Sequence, residues 1–328
     1  MKKALSLVFL AFLVVGTILI LRRTDDRPMQ ENSGQIFGTF YHIKYRSQAD
    51  LQADIERELL RVDSSMSLFN ATSTLSRLNR GETRQADNLF AEVLTMALQV
   101  AKTTQGAFDP TVGPLVNAWG FGFKKGELPT DEEVDSMLQF VGHQHVRLNG
   151  LIVERTDPRV QLDFGAIAKG YACDLVARLL EARGVSDYLV EIGGEIVVGG
   201  QKSATEQWRV GITKPSDEGA DGELQEVVEM KAGTAMATSG NYRNFYVRNG
   251  RKYAHTINPH TGRPVEHTLL SATVVAPNCA LADAYATAFM SMGLDEAKKL
   301  LAQHPELKAY LIYSGSRGEY LTYSTIEK

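Results

Sequence analysis

Eighteen consecutive residues near the start of the chain, Ala4 to Leu21, carry no charge. As a helix rising 1.5 Å per residue this run is about 27 Å long, close to the roughly 30 Å of a bilayer core. Lys2 and Lys3 precede it, and Arg22 and Arg23 close it. Such a run divides the chain into an apolar N-terminal segment and a body that must find its own core. Two readings fit residues 1–21: an uncleaved membrane anchor or a signal segment. A cleaved signal has an apolar region of about 7–15 residues and a small-x-small cleavage site. This run is longer, and Val14-Val15-Gly16 is its best match to such a site, so the anchor is the favoured reading. No cysteine lies near its end to take a lipid. Positive charges flank both sides, with a slight excess at the N-terminus that places the body outside the cytoplasm. The expected location is the inner membrane, with the body facing the periplasm.

The segment 22–33 is polar and reads as a tether, most clearly Thr24–Ser33. From residue 34 to 328 there is no further linker, low-complexity tract or clear repeat, so this body is expected to be one domain. Length alone would have allowed two. The chain is 44% hydrophobic and 23% charged. Those proportions exclude collagen, a disulfide scaffold, a disordered tail and a multi-span membrane protein. Lys and Arg number 35 against 39 Asp and Glu, a net charge of −4. That balance gives no case for a nucleic-acid partner. Cys173 and Cys279 each sit in an apolar helical pattern and read as small core residues.

Hydrophobic spacing supplies the elements. Gln35–Arg46 alternates as a strand, and Leu51, Ile55, Leu59 and Val62 recur at helical spacing. A helix is expected over Asn88–Lys102, with Gly106 beyond its end. Thr130-Asp131-Glu132-Glu133 is a capping box opening another. Val146–Glu154 and Gln161–Phe164 are strand-like. A helix from about Ile167 to Arg183 follows, with Gly184 as its terminating glycine. Tyr188–Ile192 and Glu195–Val198 form a hairpin around Gly193-Gly194. Further strands are expected at Trp208–Thr213, Ala235–Ser239, Asn244–Val247, Lys252–Ile257 and Ser271–Val275. Helices over Cys279–Met292 and Leu294–Gln303 precede a terminal hairpin through Tyr310–Tyr313 and Tyr320–Tyr323. The irregular alternation of helix and strand indicates an α+β fold.

Neither GxxxxGK[ST] nor GxGxxG occurs, so any nucleotide is held by another device. In Leu162-Asp163-Phe164-Gly165-Ala166-Ile167-Ala168-Lys169-Gly170 a strand ends, Gly165 turns the chain and a helix starts. Lys169 then falls in the first helical turn, where a cation opposes the helix dipole by about 0.3–1 kcal/mol. The placement suits an anion held by the lysine and free N–H groups; the alternative is a plain solvent-exposed lysine. Asp283 and Thr287 share one face of an otherwise almost wholly apolar helix. A buried carboxylate beside a hydroxyl offers hard oxygens suited to Mg²⁺; the alternative is an Asp bonded to nearby backbone. His255 lies near a strand end before the turn Asn258-Pro259-His260-Thr261-Gly262, suited to acid–base work or to a structural role. His143 and His145 have metal-pair spacing, but no Cys or carboxylate cluster joins them, and they read as surface.

Taken in order, these segments resemble the ApbE family of FAD:protein FMN transferases over residues 36–293. Eight motifs carry the resemblance: Phe37-Gly38-Thr39-Phe40-Tyr41; Met66–Phe69 leading to Ser76–Asn79; Gly106–Leu115; Leu162–Gly170; Tyr188–Glu195; Ala237–Tyr242; His255–Gly262; and Ala282–Thr287. The resemblance implies a compact α+β domain related to T-folds. It implies an Mg²⁺-dependent enzyme that splits FAD, releases AMP and links FMN by a phosphoester to a Thr or Ser of a partner. Partners of that kind are subunits of membrane redox complexes, such as a sodium-pumping quinone reductase or an Rnf-type complex. It further implies Mg²⁺ ligands at Asp283, Thr287 and the backbone carbonyl of Ala166. FAD contacts are implied at Phe37, Phe69, Ala107, Phe108, Asp109, Asp163, Lys169 and Ile257, and an acid–base role at His255. Phe37 stands where the family often has Met, and Asn258 where it usually has Asp. An FAD pyrophosphatase with water as acceptor would use the same residues. A membrane-tethered flavin-binding module without catalysis is the third alternative.

Overall fold

The computed structural model describes residues 12–13, 16, 27–122, 128–215, 223–241, 245–248 and 251–327. The run expected as an anchor or signal segment otherwise lies outside the described residues. No helix among the described residues is long and apolar enough to cross a membrane.

The frame is an eight-stranded sheet whose spatial order is its chain order. Its strands are β1 (Met29–Ile36), β2 (Thr39–Arg46), β3 (Tyr188–Ile192), β4 (Glu195–Gly199), β5 (Thr234–Gly240), β6 (Leu269–Ala276), β7 (Lys308–Ser314) and β8 (Tyr320–Ser324). Every neighbouring pair is antiparallel. Tight turns join β1 to β2, β3 to β4 and β7 to β8. The long excursion from β2 to β3 carries α1 (Gln52–Met66), α2 (Thr74–Asn79), α3 (Asn88–Thr103), α4 (Gly113–Ala118), α5 (Asp131–Leu138) and α6 (Ala168–Ala182). The one from β6 to β7 carries α7 (Cys279–Met292) and α8 (Leu294–Gln303). Helices and strands thus form one mixed α+β domain.

Both faces of the sheet are covered. On one face lie α6 and α7, packed on each other and on β3–β6. Sheet residues there are small (Ala235, Ala237 and Ala272), and α7 meets them with Ala280, Ala284 and Ala288 at spacings of four, all fully buried. Small against small lets the helix sit close. On the other face a ribbon of Trp208–Thr213 paired with Leu224–Met230 closes a second core over Ile196, Val198, Met236 and Ile312. This explains why Glu195–Gly199 is buried at every position and why everything after Glu195 in it is apolar.

Five local expectations change. Lys252–Ile257 is not one strand: Arg251–Ala254 pairs with Phe245–Arg248, and Ile257–Asn258 pairs separately with Arg263–Pro264. Gln35–Arg46 is not one strand: Phe37 (φ 51) and Gly38 (φ 73) both adopt left-handed backbone and turn β1 into β2. A Phe at such a turn hid it from sequence. The expected tether up to Ser33 is too long, because β1 begins at Met29. Its polar side chains belong to an edge strand, and its buried Asn32 accepts from Tyr45 Oη at 2.7 Å. Gln161–Phe164 joins no ladder. The Asn79 side chain replaces one, donating to Leu162 O and accepting from Leu162 N, each at 2.8 Å. Val146–Glu154 is a hairpin, Val146–Asn149 against Ile152–Arg155.

Candidate active site

The start of α6 is assembled from two directions. Phe164 is fully buried against Phe90, with ring centroids 4.9 Å apart. That contact, worth about 0.5–1.5 kcal/mol beyond area burial, fixes the residue before the Gly165 turn. Ile167 enters the helix without a side-chain cap. The cap comes instead from α7: Gly170 N–H donates to Asp283 Oδ2 at 3.2 Å. Asp174 of α6 returns the favour, accepting from Cys279 N at 2.8 Å and Ala280 N at 2.9 Å at the start of α7. The two helices approach so closely at Gly170 that a Cβ there would lie 2.2 Å from Cys279 O.

Lys169 falls in the first turn of α6, as its spacing indicates, and is half-buried. Its ammonium is ion-paired with Glu195 Oε1, from the first residue of β4. The Glu195 side chain is 4% exposed, and its second oxygen, Oε2, has no hydrogen-bond partner. Asp283 is buried as expected. Burial raises its carboxyl pKa against the opposing pull of Lys169 and the Gly170 N–H. Burial, then the charge of Asp283, likewise raises that of Glu195. For Lys169 burial acts downward, yet the Asp283 and Glu195 charges outweigh it and leave the ammonium held above its ordinary value. Two desolvated carboxylates therefore face one cation.

The oxygens expected to hold Mg²⁺ fit that charge deficit. Thr287 sits one turn beyond Asp283, half-buried, with its hydroxyl 3.1 Å from Ser239 Oγ on β5. Gly170 N–H, four residues after Ala166, turns to Asp283 rather than closing a helical bond on the Ala166 carbonyl. A carboxylate, a hydroxyl and a spared carbonyl at a helix start form a hard-oxygen set appropriate to a small divalent cation.

On the outer side of Lys169 lies a pocket of about 240 Å³, lined by Phe37, Met66, Phe69, Phe164, Gly165 and Lys169 among others. Phe69 is 84% exposed, a cost in water that an aromatic ligand would relieve. Asp163 stands beside the pocket, with Oδ1 accepting from Gly165 N at 2.7 Å; burial raises its carboxyl pKa. Asp163 N donates to Pro110 O at 2.7 Å, which draws in the turn before it. The side chains of Ala107, Phe108 and Asp109 in that turn are buried rather than displayed. The Asp109 carboxylate accepts from Thr111 N (2.9 Å), Thr111 Oγ1 (2.6 Å) and His143 N (2.6 Å), with His143 Nδ1 3.2 Å away. His145 is turned to Thr156 Oγ1, at 2.7 Å.

His255 follows the strand Arg251–Ala254, half-buried, with its ring edge-on to Phe121 at 6.4 Å. The next residue, Thr256, donates to Asn241 Oδ1 at 2.8 Å, just past the end of β5 and two residues from Ser239. Ile257 is buried in a small separate core with Leu115, Trp119 and Val134. Lys169, Asp283, Thr287, Ala166, Phe37, Phe69 and Asp163 are thus gathered at one end of α6. The 107–109 turn adjoins through Pro110, and His255 arrives from the β5 side.

The family model for ApbE matches residues 37–311. The chain belongs to the ApbE family. An FAD:protein FMN transferase from Vibrio cholerae is 36% identical over 320 residues, covering 94% of this chain and 95% of its own. Its counterpart from Escherichia coli is 35% identical over 293 residues, 85% and 82% of the two chains. Among solved structures, the flavin transferase ApbE from Vibrio cholerae superposes with a TM-score of 0.81 at 35% identity, covering 90% of this chain and 97% of that one. The apo form of the Pseudomonas stutzeri flavinyl transferase ApbE gives 0.81 at 32%, with 91% and 95% covered. As a member of the ApbE family the chain is a transferase.

Sequence reasoning gave Asp174 no place, and it gave Glu195 and Ser239 no role of their own: each falls inside a motif of the resemblance, Tyr188–Glu195 and Ala237–Tyr242, and Glu195 also opens the second strand of the expected hairpin. The available signal was a glutamate opening a fully apolar strand, where a charge needs a partner.

Proposed function

We propose that this chain transfers FMN from FAD to a Thr or Ser hydroxyl of a partner protein, releasing AMP. The observation that carries the reading is the position of Lys169. It lines the aromatic pocket on one side and feels the charge of Asp283 on the other. A ligand with a flat ring system and a pyrophosphate spans such a pair of environments. Phe37 and Phe69 would hold a ring of FAD by stacking and apolar contact. Lys169 and the start of α6 would hold pyrophosphate oxygens. The 107–109 turn, with its side chains buried, would offer FAD its backbone.

Asp283, Thr287 and the Ala166 carbonyl would hold Mg²⁺, which when bound supplies neutralisation of the pyrophosphate charge. In the reaction the acceptor oxygen forms a bond to the FMN phosphorus while the bridging P–O bond breaks. The electron pair of that bond leaves with AMP, and the hydroxyl proton passes to His255. The acceptor is proposed to be a redox subunit of a membrane complex of the sodium-pumping quinone reductase or Rnf type. The apolar run before the domain supports an inner-membrane site of action, with the domain on the periplasmic side.

Incubation with FAD, Mg²⁺ and such a subunit tests this. AMP release together with an FMN mass adduct on a Thr or Ser of the subunit is expected. AMP without an adduct would establish the pyrophosphatase reading instead. FAD bound but unchanged, alike in the protein and its Asp283→Asn variant, would reduce it to a binding module. His255→Ala should slow transfer while FAD binding persists.

A further inference from the structure

Lys169 has two carboxylates within electrostatic reach and is ion-paired with one of them. Its partner is Glu195, whose side chain is buried at the start of β4. Asp283, the other, bonds the Gly170 N–H instead. An ammonium is a flexible point charge, and nothing in its own chemistry selects between two carboxylates. Selection comes from where each carboxylate is fixed. Glu195 is held at its backbone and enclosed at its side chain. Its backbone oxygen accepts from Cys173 Sγ at 3.2 Å, one turn along α6 from Lys169. Its side-chain Oε2 lies against Gly193, where a Cβ would approach to 3.3 Å, with Thr39 closing the same side. The carboxylate is thereby aimed back at α6.

We propose that Glu195 is a positioning residue that keeps Lys169 off the Asp283 carboxylate and so leaves that carboxylate open to a divalent cation. This rests on the reading of Asp283 and Thr287 as cation ligands. Without the Glu195 charge, Lys169 swings to Asp283, neutralises it and competes with the metal for its oxygens. The competition is internal and constant, so it appears as weakened metal affinity. Lys169 also leaves the pocket wall, so the FAD KM rises as well.

The test is a double-mutant cycle on the full chain in detergent, without FAD. Mn²⁺ alone is the probe, with free ion counted by its paramagnetic resonance. Glu195→Gln is expected to weaken Mn²⁺ binding about tenfold. In a Lys169→Met background the same change should have no effect, because no ammonium remains to move. An equal loss in both backgrounds would overturn the proposal, since Glu195 would then act by its own charge or as a ligand. Should Glu195→Gln fail to fold, Glu195→Asp serves: its smaller loss must likewise vanish with Lys169→Met. If Asp283→Asn binds Mn²⁺ as the unaltered protein does, the cation site itself is refuted, and the Glu195 role with it. That result is distinct from a failed cycle, in which Asp283→Asn still abolishes binding.

Discussion

Asp174 and Asp283 cap each other's helices: Asp174 on α6 holds the first N–H groups of α7, and Asp283 on α7 holds the Gly170 N–H of α6. The residue that would ligate a metal is therefore part of the joint between two helices. On the proposed reading, the metal site and the helix crossing share one set of atoms, so changes at the crossing should be felt in the chemistry.

Gly170→Ala tests the crossing. In an open helix this change gains about 0.5–1 kcal/mol. Here the new Cβ would meet Cys279 C at 2.6 Å and Ala280 Cα at 2.9 Å, which are backbone atoms that cannot step aside. Overpacking of this kind costs about 1–3 kcal/mol or more, so the clash prevails. Urea unfolding should show the loss, and Mn²⁺ affinity should fall with it.

Asp174 gives a pH signature. Burial, opposed by the bonds from Cys279 N and Ala280 N, raises its carboxyl from 3.8 to about 6. A folded-state value above the unfolded one means that the native state holds the extra proton between pH 3.8 and about 6. This group therefore contributes stability below that window and loses it as pH rises through it, on the order of 2–3 kcal/mol. Asp174→Asn should remove that decline: its stability relative to the unaltered protein should improve from about pH 4 to pH 6 in denaturant titrations.

Phe37 sits at φ 51, left-handed backbone that costs a non-glycine residue about 1–2 kcal/mol. Asn tolerates that region better. Phe37→Asn should raise the unfolding free energy by about 0.5–1 kcal/mol. It should also raise the KM for FAD several-fold, because the pocket loses an aromatic wall. A loss of stability without a change in KM would contradict both halves.

The Asp109 carboxylate serves Thr111 and His143 at once. Asp109→Asn should destabilise the domain by about 1–3 kcal/mol, the range for a buried group left unpaired. The hydrogen bond to Asp109, more than the opposing burial, holds the His143 imidazole above its ordinary 6.5. The variant should return it toward that value in an NMR titration. The contribution of this pair to stability is full below pH 6.5 and fades as pH rises past the folded value.

Much of this was legible in the residues. Periodicity alone placed Cys279–Met292 and put Lys169 in the first turn of its helix, because α7 and α6 bury broad apolar faces. The burial of Asp283 followed from the alanines around it. The arrangement of Glu195 was not legible, because its partner is 26 positions away and pairs through a hairpin turn. Asn79 standing in for a strand at Leu162 left no trace in spacing, since one side chain supplies both bonds. The turn at Phe37 was masked by its own residue type. Phe seldom adopts positive φ, and sequence rules expect Asn or Gly there.

The length of β1 separates the pocket from the place where the chain enters the sheet. Arg27, bonded to Gly184 O beyond the C-terminal end of α6, marks one pole of the domain. Phe37 follows at the other end of the eight-residue strand, beside the start of the same helix. Seven steps of about 3.4 Å separate the two ends of that strand, roughly 24 Å. The pocket wall at Phe37 and the point where the chain enters the sheet are therefore at opposite ends of one strand. On the proposed reading of residues 1–21 as an anchor, the acceptor would bring its hydroxyl to the Phe37 side of the domain, a strand's length away from where the chain enters it.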